Sequence, residues 1–267
     1  MKRLRSLRLL LILELLRPLS LPASLRLLRF LSQSGGISVN LAYRRYLTHT
    51  LLLHDARNYA SLLQVDGLTH LQEALARGGG AVLLSSKVGL PRLLRWYLRT
   101  CHPNVLYLLL IGFPATADRS LSARFQRWHW SRFHFDRDSL AGNEPLSAQY
   151  MTRAFRHLRA NGIVNIAGDG GAGEHRFPVT IAGRQHQLAS GGIALGVLSG
   201  AAIIPCFTVM EPGDKFRIEF QPPLHVPANQ DRDAQLRQLT TEYAARIDQY
   251  ILAHPDNTVA PRYAQEN

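Results

Sequence analysis

The sequence predicts an α/β fold with a mostly parallel central sheet flanked by helices, preceded by an amphipathic helical N-terminus. Three observations predict it. Apolar runs of strand length recur at Ala81–Ser85, Asn104–Ile111 and Ile163–Ala167. Between and beyond them lie stretches whose apolar residues repeat at helical spacing. Glycines stand at the junctions, as in Gly78-Gly79-Gly80 and Asn161-Gly162. Strands that alternate with helices need crossover connections, and crossovers make neighbouring strands parallel. With 267 residues, 46% of them hydrophobic and 19% charged, the chain can build a full core. A disordered chain, a fibrous repeat and a disulfide scaffold are excluded.

Taken in order, Leu41–Leu63 predicts linking helices, with Tyr43, Tyr46, Leu47 and Leu51 at mixed helical spacing. The alternation starts at Val65. His70–Arg77 is a helix stopped by the triple glycine, Ala81–Ser85 a buried strand and Pro91–Cys101 a helix. Asn104–Ile111 is the second strand, Leu121–Arg132 a helix, Ser147–Ala160 a helix and Ile163–Ala167 the third strand. A glycine-rich turn, a helix over Gly192–Ser199 and strands Ala202–Met210 and Phe216–Gln221 follow. Arg232–Leu252 closes the series as a long helix. No repeat and no low-complexity segment interrupts it. The domain boundary falls at 60/61, between basic amphipathic helices (1–60) and the α/β domain (61–267).

Charge divides along the same line. The chain carries 31 Lys and Arg against 19 Asp and Glu, a formal +12. Residues 1–45 hold nine of the basic residues and a single acid, Glu14, among many leucines. A nucleic-acid arm has no need of a leucine surface, so no nucleic-acid partner is expected. A basic, leucine-rich segment fits an anionic membrane lipid surface. The unbroken run Leu9–Leu13 is too short to span a bilayer, which takes about 20 apolar residues. Lys2–Leu16 imitates a secretory signal, but no small-residue cleavage site follows Pro18 and Pro22. The expectation is two amphipathic helices, Lys2–Leu16 and Ser24–Leu31, beside the alternative of an arm packed on the chain's own body. Cys101 and Cys206 read as buried, reduced thiols. His129 and His134 are five apart, poor metal spacing on a helix, and no metal site is expected. The aromatic stretch His129–Asp136 reads equally as the lining of an apolar channel or a lipid-interface contact and as a core face.

In parallel sheets, ligands sit beyond the carboxyl ends of the strands. Three loops therefore form the candidate site: Ser85–Gly89, the turn after Ile111, and Gly168–Gly171. The segments that surround them resemble a family. "VDGLTHLQEALARGGGAVLLSSKVGLPRLL" (Val65–Leu94), "LRANGIVNIAGDGG" (Leu158–Gly171) and "FPVTIAGRQHQLASGGIALGVLSGAAIIPCF" (Phe177–Phe207) are similar to the lipid A biosynthesis (lauroyl/myristoyl) acyltransferases of the lysophospholipid acyltransferase superfamily. In the last segment the family shows a strand ending in Gly, a Gly-Xaa-Ala-Leu helix and a strand Ala-Xaa-Ile-Ile-Pro. The resemblance runs from about Asn40 to about Pro255.

The resemblance implies a His with an Asp or Glu five positions later. The imidazole takes the proton of an acceptor hydroxyl as that hydroxyl attacks an acyl thioester. Aligned on "GAVLLSSKVGLPRL", those positions hold Lys87 and Arg92, and none of the eleven histidines is followed at five residues by an acid. On this resemblance the chain reads as a divergent member without the dyad. Three readings of the pair stand together. Lys87 is a base made neutral by burial and by the neighbouring Arg92 cation. Alternatively, both residues clamp a lipid phosphate or the phosphopantetheine of a carrier protein. Or the mouth of a degenerate member has filled with solvated bases.

Asp169 is the third candidate catalytic residue. It reads either as turn chemistry or as the family's functional acid, paired with Lys87 or Arg92. Ser85 and Ser86 beside Lys87 admit a Ser-plus-Lys nucleophile. Ser86, Gly89, Gly170, Gly171, Arg124 and Arg127 are candidate substrate-binding residues; on an exposed helix, the two arginines are more simply solvated. The resemblance implies transfer of a fatty acyl chain from an acyl-carrier-protein or CoA thioester to a hydroxyl of a cell-envelope lipid or glycolipid. No cofactor is needed beyond that donor, and the expected place is the cytoplasmic face of a bacterial inner membrane. The alternative is a non-catalytic relative that binds lipid or acyl carrier protein as an accessory subunit.

Overall fold

The computed structural model describes residues 60–102, 104–109, 124, 139–141, 148–170, 173, 175–211 and 215–257. The chain divides into two units, Met1–Asn58 with Pro114–Phe135 and Tyr59–Phe113 with Asp136–Asn267. Every described residue except Arg124 belongs to the second. The expectations for residues 1–45, for a helix over Leu121–Arg132 and for the cluster at 129–136 lie outside the described residues. So do the turn after Ile111, Arg127 and Gly171.

The second unit is built on β1 (Leu63–Asp66), β2 (Ala81–Gly89), β3 (Val105–Leu109), β4 (Ser139–Ala141), β5 (Ile163–Ala167), β8 (Ala202–Glu211) and β9 (Lys215–Phe220). They form one sheet in the order β1-β9-β8-β2-β5-β3-β4. Strands β8, β2, β5, β3 and β4 are mutually parallel, β9 runs antiparallel to β8, and β1 pairs parallel with β9. The expected mostly parallel sheet is therefore present. At its centre Ala81, Val82, Leu83 and Leu84 are all fully buried, as a strand covered on both faces requires.

Helices α1 (Leu68–Ala76) and α2 (Pro91–Cys101) pack against β2 and β8. Helices α3 (Ala148–Arg159), α4 (Gly191–Ser199) and α5 (Arg232–Ala253) complete the set. A core cluster joins Val82, Leu84, Val164, Ile166 and Ile203 of the sheet to Leu158 of α3, Leu195 of α4 and Leu239, Tyr243 and Ile247 of α5. Helix α4 lies against the sheet because its inner face is glycine. A Cβ on Gly192 would stand 2.8 Å from Ile166 and 2.9 Å from Leu84, and one on Gly196 would stand 2.3 Å from Ile203.

Helix α5 starts at Asp231, whose carboxylate accepts the Ala234 N–H at 3.0 Å. Near its other end Tyr250 stacks on Phe207, with centroids 4.2 Å apart, and donates to Glu219 at 2.8 Å. Asn257 then pins the chain to β8, accepting from the Met210 N–H at 2.8 Å and donating to the Met210 carbonyl at 3.1 Å.

Three features depart from the sequence reading. Strands β1 and β4 were not expected; each is a short edge strand, too brief for a periodicity signal. Ala60–Leu62 form a 3-10 turn leading into β1, so the helix expected over Leu41–Leu63 does not reach its predicted end. The stretch between the glycine-rich turn and α4 is a separate hairpin, β6 (Arg176–Ile181) and β7 (Arg184–Ala189). Its second strand, Arg-Gln-His-Gln-Leu-Ala, is too polar to read as a strand by itself. Phe177, Val179 and Ile181 bury one face of the hairpin, and its turn is tied to α5 by the Ala182 N–H bond to Asp248 at 2.7 Å. A fourth correction concerns cysteine: Cys206 is buried as expected, but Cys101 is exposed at the end of α2.

The tight contact of α4 generates a stability prediction. Gly196→Ala is expected to cost about 1–3 kcal/mol by overpacking against Ile203. Gly191→Ala, where a Cβ meets nothing within 4 Å, stays within about 0.5 kcal/mol of wild type. Urea unfolding of both variants checks the contrast.

Candidate functional site

At the carboxyl end of β2 the ladder changes register. Ser85 lies opposite Cys206 and Gly89 opposite Thr208, four steps along β2 against two along β8. The surplus, Ser86–Val88, bulges out of the sheet. Three hydrogen bonds hold it there. The Lys87 N–H donates to Asp169 Oδ2 at 2.6 Å, the Ser86 hydroxyl donates to the same oxygen at 3.1 Å, and the Val88 N–H donates to Ser86 Oγ at 3.0 Å. Asp169 comes from the turn after β5, which the Gly168 N–H bond to the Ser85 carbonyl (2.9 Å) locks beside β2. Two of the three predicted loops thus converge.

Gly89 ends the bulge with φ +73, and a Cβ there would sit 1.7 Å from the Thr208 carbonyl oxygen. Only glycine fits this position. Leu90 then donates its N–H to the Thr208 carbonyl at 3.0 Å, and α2 begins at Pro91. On the β5 side the Ala189 N–H reaches the Gly170 carbonyl at 2.9 Å, bringing in the buried Ser190 and the first turn of α4. Helices α2 and α4 therefore both begin at the end of the sheet where β2 and β5 finish. Helix N-termini carry partial positive charge. Among the described residues, Lys87 is exposed at this mouth and Asp169 is fully buried, so the charge these two present to solvent is positive.

The arrangement favours some chemistry over other chemistry. Ser86 is buried, its proton is given to Asp169 and its oxygen accepts from Val88, so its hydroxyl is committed to the bulge. Cys206, opposite Ser85, is held as a neutral thiol because burial pushes its pKa up, with Glu219 adding to the effect. Lys87 is exposed, so the burial that the lysine-base reading invoked is absent. Elsewhere, burial pushes Tyr97 up to about 12, raises Tyr250 with help from Glu219, and lowers His102 at the end of α2. Among the described residues no three His, Cys, Asp or Glu side chains gather as a metal-binding set.

The remaining predicted residues are placed as follows. Arg92 lies in the first turn of α2, and its side chain is outside the described set. Asp169 meets Lys87 through the lysine's backbone N–H. Gly170 has no positive φ, and the nearest atom to a Cβ there is 3.8 Å away, so sterics do not require glycine. Arg124 is helical and exposed, in the other unit.

The sequence reading overlooked Arg95. It is buried on α2, with its guanidinium 4.7 Å over the Tyr107 ring, and its carbonyl accepts from the Tyr107 hydroxyl at 3.3 Å. The spacing of Arg92, Arg95 and Arg99 mimics a solvated helical ridge, which hides the buried member. Gly168, inside the third candidate loop, was given no role of its own there: a Cβ on it would stand 2.6 Å from the Tyr243 ring of α5.

Residues 43–258 match the family model described as bacterial lipid A biosynthesis acyltransferase. Among solved structures, the 1-acyl-sn-glycerophosphate (LPA) acyltransferase PlsC from Thermotoga maritima aligns with 95% of this chain and 100% of that chain. The identity is 13% and the TM-score 0.43. No curated protein matches the chain. Among the described residues no helix is long and apolar enough to cross a membrane.

The bulge yields a prediction of its own. Asp169→Ala strands the Lys87 N–H and the Ser86 hydroxyl and is expected to cost about 2–4 kcal/mol. Asp169→Asn keeps an acceptor oxygen and costs less than Asp169→Ala. Denaturant titration ranks them; equal losses in the two variants would mean that acceptance of these two bonds is not what Asp169 supplies.

Proposed function

The chain belongs to the bacterial lipid A biosynthesis acyltransferase family, and on that premise we propose that it is a membrane-associated O-acyltransferase. It moves a fatty acyl chain from an acyl-carrier-protein or CoA thioester to a hydroxyl of a cell-envelope lipid or glycolipid. The observation that carries this reading is the bulge, where a buried Asp169 holds the backbone that presents an exposed Lys87 at an electropositive mouth.

In the proposed reaction the acceptor oxygen bonds to the thioester carbonyl carbon and the C–S bond breaks. The hydroxyl proton ends on the departing sulfur, giving an ester and a free thiol. Negative charge gathers on the carbonyl oxygen and then on sulfur. The Lys87 ammonium and the N-termini of α2 and α4 lie where a fixed positive field would lower the energy of both. Lys87 acts here as a cation, Arg92 as a second cation for an anionic substrate group, and Asp169 as the residue that positions the lysine. Ser86 and Gly89 shape the bulge beside the reacting groups, and Gly170 and Gly171 remain candidate substrate-binding residues. Arg124 and Arg127 remain candidate contacts for the acceptor phosphate or the carrier. The basic N-terminus would hold the enzyme at the cytoplasmic face of the inner membrane.

A second reading rests on the missing dyad: an accessory subunit that binds lipid or acyl carrier protein at the same mouth without turnover. Transfer from radiolabelled acyl carrier protein to total membrane lipid separates the two. Lys87→Ala is expected to lower turnover by about 10²–10³-fold, the range for removing one such charge-stabilising group. Lys87→Arg is expected to restore part of it. Equal turnover in wild type and Lys87→Ala would remove the lysine from the reaction. Absence of turnover in wild type, with carrier or lipid binding weakened by Lys87→Ala, would establish the accessory reading.

A further inference from the structure

We propose that the outer faces of α3 and α4 form a docking surface for an anionic bilayer, distinct from the N-terminal segment. Helix α3 reads Ala-Gln-Tyr-Met-Thr-Arg-Ala-Phe-Arg-His-Leu-Arg, without an acid. Its buried ridge is Ala154 and Leu158, while Arg153, Arg156 and Arg159 are exposed. None of the three makes an ion pair with the described residues, whereas Arg77, Arg217, Arg237 and Arg246 each have a carboxylate partner.

Beside these arginines the surface is apolar. Phe155 is 37% exposed and Leu198 is 50% exposed. Helices α3 and α4 pack side by side. His157 marks the α3 flank that faces β3, because its ring nitrogen lies 3.3 Å from the Asn104 carbonyl. At about 100° per residue, Phe155 lies on the opposite flank, the α4 side.

Helix α4, Gly-Gly-Ile-Ala-Leu-Gly-Val-Leu-Ser, carries no charge. Its single hydroxyl is turned inward, Ser199 donating to the Leu195 carbonyl at 2.7 Å. The outward side is Gly191, Ala194, Val197 and Leu198. A helix at a water-facing surface ordinarily sets polar residues there.

An apolar ridge bordered by exposed arginines matches the boundary of an anionic bilayer. Guanidinium groups meet lipid phosphates, and Phe and Leu enter the headgroup region. A protein partner would also meet these arginines, and the carrier-protein arm of the test below separates it from the bilayer. The surface does not depend on Lys87 or on turnover.

The test is co-sedimentation of the full chain with vesicles of equal parts phosphatidylglycerol and phosphatidylcholine, with pure phosphatidylcholine as the control. The combined Arg153→Glu, Arg156→Glu and Arg159→Glu variant is expected to lower partitioning onto the anionic vesicles by about tenfold or more. Leu198→Asp is expected to lower it severalfold. Arg→Gln at the same three positions gives an intermediate loss, and urea midpoints stay near wild type because all of these side chains are exposed.

Unchanged partitioning in both the Glu and the Asp variants overturns the proposal. So does normal vesicle binding accompanied by loss of binding to purified acyl carrier protein, which would make the face a protein dock. Transfer to a detergent-dispersed acceptor is measured in parallel. If it is absent from every protein while the vesicle effect persists, the enzymatic reading fails and this one stands.

Discussion

The hydrogen bond from the Lys87 amide to the Asp169 carboxylate settles where β2 stops pairing and how the lysine reaches the surface. Strand β2 lies between β8 and β5, and up to Ser85 it is in register with both. A central strand that leaves its neighbours inside the protein strands its own N–H and hydroxyl groups, and each buried unpaired donor costs about 1–3 kcal/mol. Asp169 takes two such groups on one oxygen. Burying a carboxylate is costly, and hydrogen bonds to the ionised form offset that cost. The bulge is therefore a substitute for sheet pairing, supplied by the adjacent strand's turn. Gly89 then returns the chain to β8 through a backbone conformation that other residues seldom adopt.

From that point the electrostatics follow from topology. In a parallel sheet the crossover helices begin where the strands end, so their positive ends collect at one edge. The glycines of α4 bring its first turns down onto Leu84 and Ile166, close beneath the bulge. An acidic cluster at this edge would cancel the helix ends. Here the acid that comes in with β5 is fully buried and spent on hydrogen bonds, while the lysine is exposed. Packing and charge thus act together: the contact that positions the backbone also keeps the Asp169 carboxylate away from solvent.

Most of this was legible in the sequence wherever burial is two-sided and long. Pro91–Cys101 and Ile163–Ala167 have their predicted bounds, because a proline start and a bounded apolar run are strong local signals. The convergence of the β2 and β5 loops followed from strand order alone. Edge strands β1 and β4 left no periodic trace, and β7 is polar, with only Leu188 of its six residues buried. The bulge itself was not legible. Ser85-Ser86-Lys87-Val88-Gly89 reads as a loop, and nothing in five residues reveals that a carboxylate 82 positions away will take the lysine's amide. Arg95 was hidden for the opposite reason, since its helical spacing with two other arginines imitates a wet face.

The exchange of an expected His and acid for Lys87 and Arg92 changes what this position offers a reaction. A neutral imidazole at the mouth takes a proton from an incoming hydroxyl. An exposed ammonium has no proton site to spare, yet it stabilises charge wherever charge collects. In acyl transfer from a thioester the leaving sulfur is itself a competent final holder of the proton, because thiols are only weakly acidic, with pKa near 8.5. The hydroxyl proton can therefore be passed on without a dedicated imidazole, provided that the carbonyl oxygen is stabilised while the C–O bond forms. On the proposed reading, a cation beside two helix N-termini meets that condition, and it would also grip an anionic headgroup. The same geometry thus serves whether the chain completes the transfer or only holds the lipid, and the two cases differ in turnover rather than in fold.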